Sequence, residues 1–195
     1  MNDSQLTADV KQLMDSLGKL PEPTVDPLLI IVSGLPGSGK SYFSRRLAER
    51  LPLSIIESDT MRQLLAPKPN YSQSESERLF RACHALIDEL LRKGISVIFD
   101  ATNLIERNRE ELYRIVDSAE AKLIIVRLEA PPELVRQRMA RRQTGIDPDD
   151  KSEADWQVYK KMSITAERIR RNHFAVDTSK DIAPAIEKIV REARR

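Results

Sequence analysis

Residues 28–51 read LLIIVSGLPGSGKSYFSRRLAERL, and they decide the fold. LLIIVS (28–33) is an unbroken apolar run, the pattern of a strand buried on both faces of a parallel sheet. Gly34-Leu35-Pro36-Gly37-Ser38-Gly39-Lys40-Ser41 follows at once and fits G-x-x-x-x-G-K-[ST] in full. The glycines let the backbone turn back on itself, so that successive N–H groups point inward at phosphate oxygens. SYFSRRLAERL is amphipathic and predicts a helix whose positive end adds to the same pocket. Lys40 is placed to reach the β- and γ-phosphates of a nucleoside triphosphate, and the Ser41 hydroxyl to ligate Mg²⁺. Strand, glycine-rich turn and helix in this order predict a binding site for ATP with Mg²⁺, formed by Gly34 through Ser41.

Outward from this stretch, short apolar runs alternate with longer amphipathic ones. LSIIE (53–57), ISVIFD (95–100), KLIIVRLEA (122–130) and a short run at 174–177 predict further strands. Helices are predicted over 75–94, with a C-cap at Gly94, over 106–119, from Pro132 onward, over 153–171 and over 182–194. Such alternation predicts an α/β fold, a parallel sheet covered by helices on both faces. Upstream, Leu6, Val10, Leu13, Leu17 and Leu20 share one helical face. Prolines at 21, 23 and 27 are expected to end that helix and form a stiff connector. The expected organisation is therefore an N-terminal helix and connector over 1–26, then one domain over 27–195. The leading helix is expected to pack on the core, with a partner-binding role as the alternative.

Composition narrows the function classes. The chain has 195 residues, suited to one core, with 32 Lys and Arg against 30 Asp and Glu. A net charge of +2 and an aromatic share of 5% give no general attraction to nucleic acid and few stacking platforms for bases. A single cysteine, Cys83, excludes an intramolecular disulfide and reads as a small core residue. His84 and His173 read as structural. No apolar run approaches the roughly 20 residues that span a bilayer, and the N-terminus lacks the pattern of a secretory signal. A cytoplasmic protein without a membrane partner is expected, and its oligomeric state is left open.

Three clusters lie beyond strand ends, where ligands bind in open parallel sheets. The first is Glu57-Ser58-Asp59-Thr60-Met61-Arg62. Asp59 is either a carboxylate that accepts the proton of an attacking hydroxyl or a helix cap. Arg62, three residues on, is placed to hold an anionic part of an acceptor. The second is Phe99-Asp100-Ala101-Thr102-Asn103, where Asp100 fits a metal-bound water and Thr102 or Asn103 a helix start. The third is Arg136, Arg138, Arg141 and Arg142 ahead of the turn-rich QTGIDPDDKSE (143–153), expected to form a mobile lid over about 136–155. Arg138 and Arg142, four apart, share a helix face and suit charge stabilisation in phosphoryl transfer, with a solvated basic helix as the alternative.

GLPGSGKS, ESDTMR, VIFDATN with Arg107 and Arg109 downstream, APPELVRQR and DWQVYKKM together resemble the P-loop kinases related to polynucleotide 5′-hydroxyl kinase. Bacterial zeta-toxin-like and uncharacterised AAA-type ATP-binding proteins are grouped with them. The resemblance covers roughly residues 28–162 and leaves out the leading helix and the last thirty or so residues. It implies a three-layer sandwich with sheet order 2-3-1-4-5 and transfer of the γ-phosphate of ATP to a hydroxyl. It further implies Asp59 as general base, Arg62 as the acceptor-phosphate contact with Thr102 and Asn103 beside the substrate, and Asp100 with Ser41 at the metal. Lys40 and the lid arginines Arg138 and Arg142 complete the catalytic set, with Arg141 as the other register. The acceptor is either a 5′-hydroxyl nucleic acid or a small molecule such as a sugar, nucleotide sugar, nucleoside or antibiotic. A regulatory ATPase without an acceptor is the remaining alternative.

Overall fold

The computed structural model describes residues 3–143 and 154–195, apart from the side chains of Arg142 and Gln143. Its elements run α1 (Asp3–Ser16), β1 (Leu28–Ser33), α2 (Lys40–Ala48), β2 (Ser54–Glu57), α3 (Ser58–Leu65), α4 (Gln73–Arg92), β3 (Val97–Asp100), α5 (Glu106–Ser118), β4 (Lys122–Glu129), α6 (Pro132–Gln143), α7 (Trp156–Thr165), β5 (Phe174–Asp177) and α8 (Ala183–Ala193). The strands form one parallel sheet in the order β2-β3-β1-β4-β5. This is the expected P-loop sandwich.

The sheet separates two apolar layers because successive strand residues point to opposite faces. On β1, Leu29 and Ile31 join the layer formed with α1, α4 and α5, where Leu13, Leu86, Phe99 and Leu112 are fully buried. Ile30 and Val32 face the other layer, built with α2 and α8 around Phe43, Leu47 and Ile189. Cys83 lies in the first layer, and burial pushes its thiol up to about 12. His84 packs edge-on against Phe99, and burial lowers it to about 4, which keeps it neutral.

Two helix boundaries differ from the expectation. The leading helix stops at Ser16, ahead of the prolines, and Gly18 at φ +66° turns the chain away. Its apolar face is covered by α3 and α4: Leu13 is fully buried, and Asp9 pairs with Arg78 of α4 through bonds of 2.6 and 2.8 Å. The helix expected over 153–171 runs only from Trp156, capped by Asp155, to Thr165. Tertiary bonds override helical propensity beyond it. The Glu167 amide donates to Leu104 O, and Arg109 donates to the carbonyls of Glu167 and Arg168. The stretch 166–172 thereby lies along α5, with Ile169 buried and Arg171 over the Tyr113 ring at 4.1 Å.

Among the described residues, no helix is long and apolar enough to cross a membrane.

Candidate active site

The strand order places the site. The loop after β1 is central, the ends of β3 and β2 lie to one side, and the ends of β4 and β5 to the other. A cleft of about 1000 Å³ runs across these strand ends. Its walls include Lys40, Ser41, Asp59, Asp100 and Arg138.

Two glycines of the loop hold a backbone that other residue types rarely adopt. Gly37 and Gly39 sit at φ +77° and +87°, the left-handed region where a side chain is strained. A Cβ on Gly37 would also stand 2.8 Å from Val135 Cγ1. Gly34 meets a steric limit: a Cβ there would lie 2.6 Å from Ser38 Oγ and 2.7 Å from Leu128 O. Gly39 precedes α2, so the first-turn N–H groups of that helix open into the cleft. Leu35 O accepts from the Ser38 amide at 3.1 Å and from Lys40 Nζ at 3.2 Å, which folds the lysine back over the loop.

The loop is fixed to its neighbours on both sides. Toward β3, the Gly34 amide donates to Thr102 O at 3.1 Å, and Ser33 Oγ donates to the carbonyls of Thr102 and Asn103. Asn103, at φ +46°, turns its side-chain Nδ2 to Val32 O at 2.8 Å. The residue expected beside the substrate is thus a buried strut behind the cleft, whereas Thr102 lines it. Arg109 is fully buried, pairs with Glu106 and donates to Asn103 O, so the strut is itself held. Toward β5, Thr178 Oγ1 donates to Ser38 O at 2.8 Å. Arg138 donates to Gly37 O at 3.1 Å, to Thr178 Oγ1 at 3.0 Å and to Thr178 O at 2.8 Å. Desolvation lowers the Arg138 pKa, yet its bonds make it a brace of the loop.

Arg141 also lines the cleft. The Arg142 side chain and half of the expected lid, residues 144–153, lie outside the described residues. Trp156 and Tyr159 stack on one another at 4.7 Å, and Tyr159 is buried against Val135 and Met139, so these rings dock α7 on α6.

Carboxylates gather on the other side of Lys40. Asp100 closes β3 and is buried. Burial raises its pKa to about 6, against the pull of Lys40, and the charges of Glu57 and Asp59 push the same way as burial. One oxygen, Oδ2, is buried with no hydrogen-bond partner among the described residues, and the Ser41 hydroxyl bonds to the same carboxylate. A hard divalent cation suits this pair, because it takes carboxylate and hydroxyl oxygens together with phosphate oxygens. Glu57, not Asp59, is the N-cap residue of α3, and it makes no side-chain cap bond. Asp59 sits in the first helical turn and faces the cleft.

Arg62 lies one turn along α3 and is already engaged. It is ion-paired with Glu75, its guanidinium carbon stands 4.9 Å from the Tyr71 ring centre, and Ser76 Oγ lies 3.4 Å from Nη2. Glu75, Tyr71, Phe80 and Thr178 escaped the sequence reading. Two of them carried a signal: Ser72-Gln73-Ser74-Glu75 is a helix-start pattern, and Thr178 directly follows a strand.

The family described as AAA domain matches residues 29–169. The L-seryl-tRNA(Sec) kinase of Methanococcus maripaludis is 30% identical over 116 residues, which is 57% of this chain and 44% of that protein. The chain spans about half the length of the curated relatives it matches, from 44% to 65%. Chaetomium thermophilum Kti12 in complex with ADP-AlF3 has a TM-score of 0.69 at 21% identity, covering 84% of this chain and 96% of that one. Mycobacterium tuberculosis APS kinase CysC in complex with AMPPNP and APS has a TM-score of 0.64 at 17% identity, covering 89% and 100%. These likenesses show the fold, that of P-loop kinases.

Proposed function

We propose that this chain, which belongs to the AAA domain family, is an ATP-dependent phosphotransferase that moves the γ-phosphate to a hydroxyl acceptor. The observation that carries the reading is the convergence of Lys40, Ser41, Asp100 and Asp59 on one cleft beside a complete phosphate loop. A switch or a motor needs the loop and a metal site. A carboxylate in the first turn of α3, facing the same cleft, adds what a kinase needs, a base for the attacking hydroxyl.

The strand order orients the reactants in this reading. The triphosphate lies in the loop with its γ end toward Asp100 and Asp59, so the nucleoside extends toward Thr178 and Ile182 at the β5 edge. The acceptor then enters from the β2 edge, beside Arg62, Tyr71 and Thr102. Ser41 and Asp100 would hold Mg²⁺, which neutralises phosphate charge when bound. Lys40 leaves Leu35 O for the β- and γ-phosphates, and Asp59 takes the acceptor's proton. Arg138 keeps the loop in shape, while Arg141, which lines the cleft, is the arginine that meets the transferring group.

The test uses γ-labelled ATP with Mg²⁺ and two sets of acceptors, 5′-hydroxyl oligonucleotides and hydroxylated metabolites. Label on an oligonucleotide supports a polynucleotide kinase, and label on a metabolite a small-molecule kinase. Asp59→Asn is expected to abolish transfer with ATP affinity within about threefold of the parent, since its carboxylate acts on the acceptor and not on ATP. Free phosphate alone, at a rate no acceptor changes, would replace this reading with that of a regulatory ATPase.

A further inference from the structure

The charge of Arg62, at the acceptor end of the cleft, is already answered within the protein. Glu75 stands in the first turn of α4, with its amide donating to Ser72 Oγ at 3.2 Å. Its carboxylate reaches back to the Asn70 amide at 2.7 Å and pairs with Arg62 on the other side. The two side chains are 13% and 11% exposed, so water contributes little screening between them. The Asn70 amide, ahead of Arg62, holds the Glu75 carboxyl below its ordinary range, so it stays ionised through the neutral range.

Glu75 therefore has two jobs. Its bond to Asn70 fixes the turn that holds Tyr71 at φ +54° with its ring beside Arg62. Its bond to Arg62 cancels the guanidinium charge. A phosphate, sulfate or carboxylate placed on Arg62 would sit beside the Glu75 carboxylate, and like charges this close repel. Moving Glu75 aside would release the turn. Around Arg62 the cleft lining includes Tyr71, Phe80 and Met162 as apolar surface and Ser76 and Thr102 as hydroxyls, with Lys161 beside Met162 on α7.

We propose that Glu75 determines acceptor specificity: by neutralising Arg62 it selects acceptors whose hydroxyl-bearing portion is uncharged. This rests on the phosphotransfer reading and refines it. The guanidinium remains at the acceptor end as a hydrogen-bond donor to hydroxyl or carbonyl oxygen, in place of the anion contact that the family resemblance suggests.

The test compares acceptors in matched pairs: adenosine with adenosine 3′-monophosphate, and N-acetylserine amide with N-acetylserine. The parent protein is expected to favour the neutral member at least tenfold in kcat/KM. Glu75→Gln keeps an oxygen for the Asn70 amide and removes the charge opposite Arg62, and is expected to cut that preference at least tenfold through the KM of the charged member, with the KM for ATP unchanged. A parent that favours the charged members, or a ratio that the glutamine leaves unmoved, overturns the proposal.

A second measurement does not depend on turnover. In AMPPNP-loaded protein, the Arg62 Nε–H NMR signal is followed while inorganic sulfate is added. The parent is expected to be unmoved at concentrations that shift Glu75→Gln, and sulfate binding at Arg62 of the parent would overturn the proposal. If no acceptor is phosphorylated, the kinase reading fails, and the sulfate titration still decides the role of Glu75.

Discussion

Arg138 donates from Nη1 to the carbonyl oxygen of Gly37 at 3.1 Å, a contact across 101 positions of sequence. Because the same guanidinium also holds Thr178, the phosphate loop is tied to the end of β5 at the point where it turns. Arg138→Ala removes all three bonds and leaves Gly37 O without that donor. The expected result is ATP binding weakened by about tenfold, corresponding to about 1.4 kcal/mol, read by titration with a fluorescent nucleotide. Arg138→Lys is expected to recover only part of the loss, because one ammonium does not reproduce a planar fork.

Asp100 makes binding and stability respond to pH in opposite directions. Its folded pKa of about 6 lies above the unfolded value of about 3.9. The folded protein therefore binds more protons than the unfolded one between these values, and stability of the ligand-free protein falls as pH rises from about 4 to 6. Asp100→Asn is expected to flatten that slope in urea titrations and to raise stability at pH 7 by about 1–3 kcal/mol. Magnesium-nucleotide affinity should show the reverse trend in the parent, weakening as pH falls through 6, since a ligating carboxylate must be ionised.

The Asp9–Arg78 pair fixes the leading helix to α4. Asp9 is 1% exposed, whereas the Arg78 side chain is 36% exposed, so the pair is screened from one side. The bond from Arg78 holds the Asp9 carboxyl below its ordinary range. Its stabilising contribution is thus full above pH of about 4 and fades as pH falls below that. Asp9→Asn is expected to cost about 1–2 kcal/mol at pH 7, measured by urea unfolding, with the difference from the parent shrinking in acid.

Arg109 is the fully buried guanidinium on which the strut at Asn103 depends. Arg109→Met removes the charge and strands the Glu106 carboxylate and the carbonyls of Asn103, Glu167 and Arg168. A loss of about 3–5 kcal/mol is expected for breaking such a pair. Nucleotide affinity should fall with it, because Asn103 supports the strand that leads into the loop.

Much of this was legible in the chain itself. The apolar run at 28–33 and the glycines at 34, 37 and 39 identified the strand and loop, because the backbone at 37 and 39 and the close packing at 34 exclude most side chains. Positions of Asp59 and Asp100 followed from the rule that ligands bind beyond strand ends. What misled was local pattern without its tertiary partners. Helical periodicity continued past Thr165, but the carbonyls of Glu167 and Arg168 were claimed by Arg109. Asn103 read as a substrate contact, yet its amide is spent on Val32 O.

By itself the sequence determined the strands and the phosphate loop, since burial pattern and backbone sterics act within a few positions of the chain. The tertiary structure decided which charges remain to act. Arg138 and Arg62 each look like a cation for a ligand, but one is turned onto Gly37 and the other onto Glu75. An arginine's partner is set by what folding brings within about 3 Å of it, and no local spacing records that.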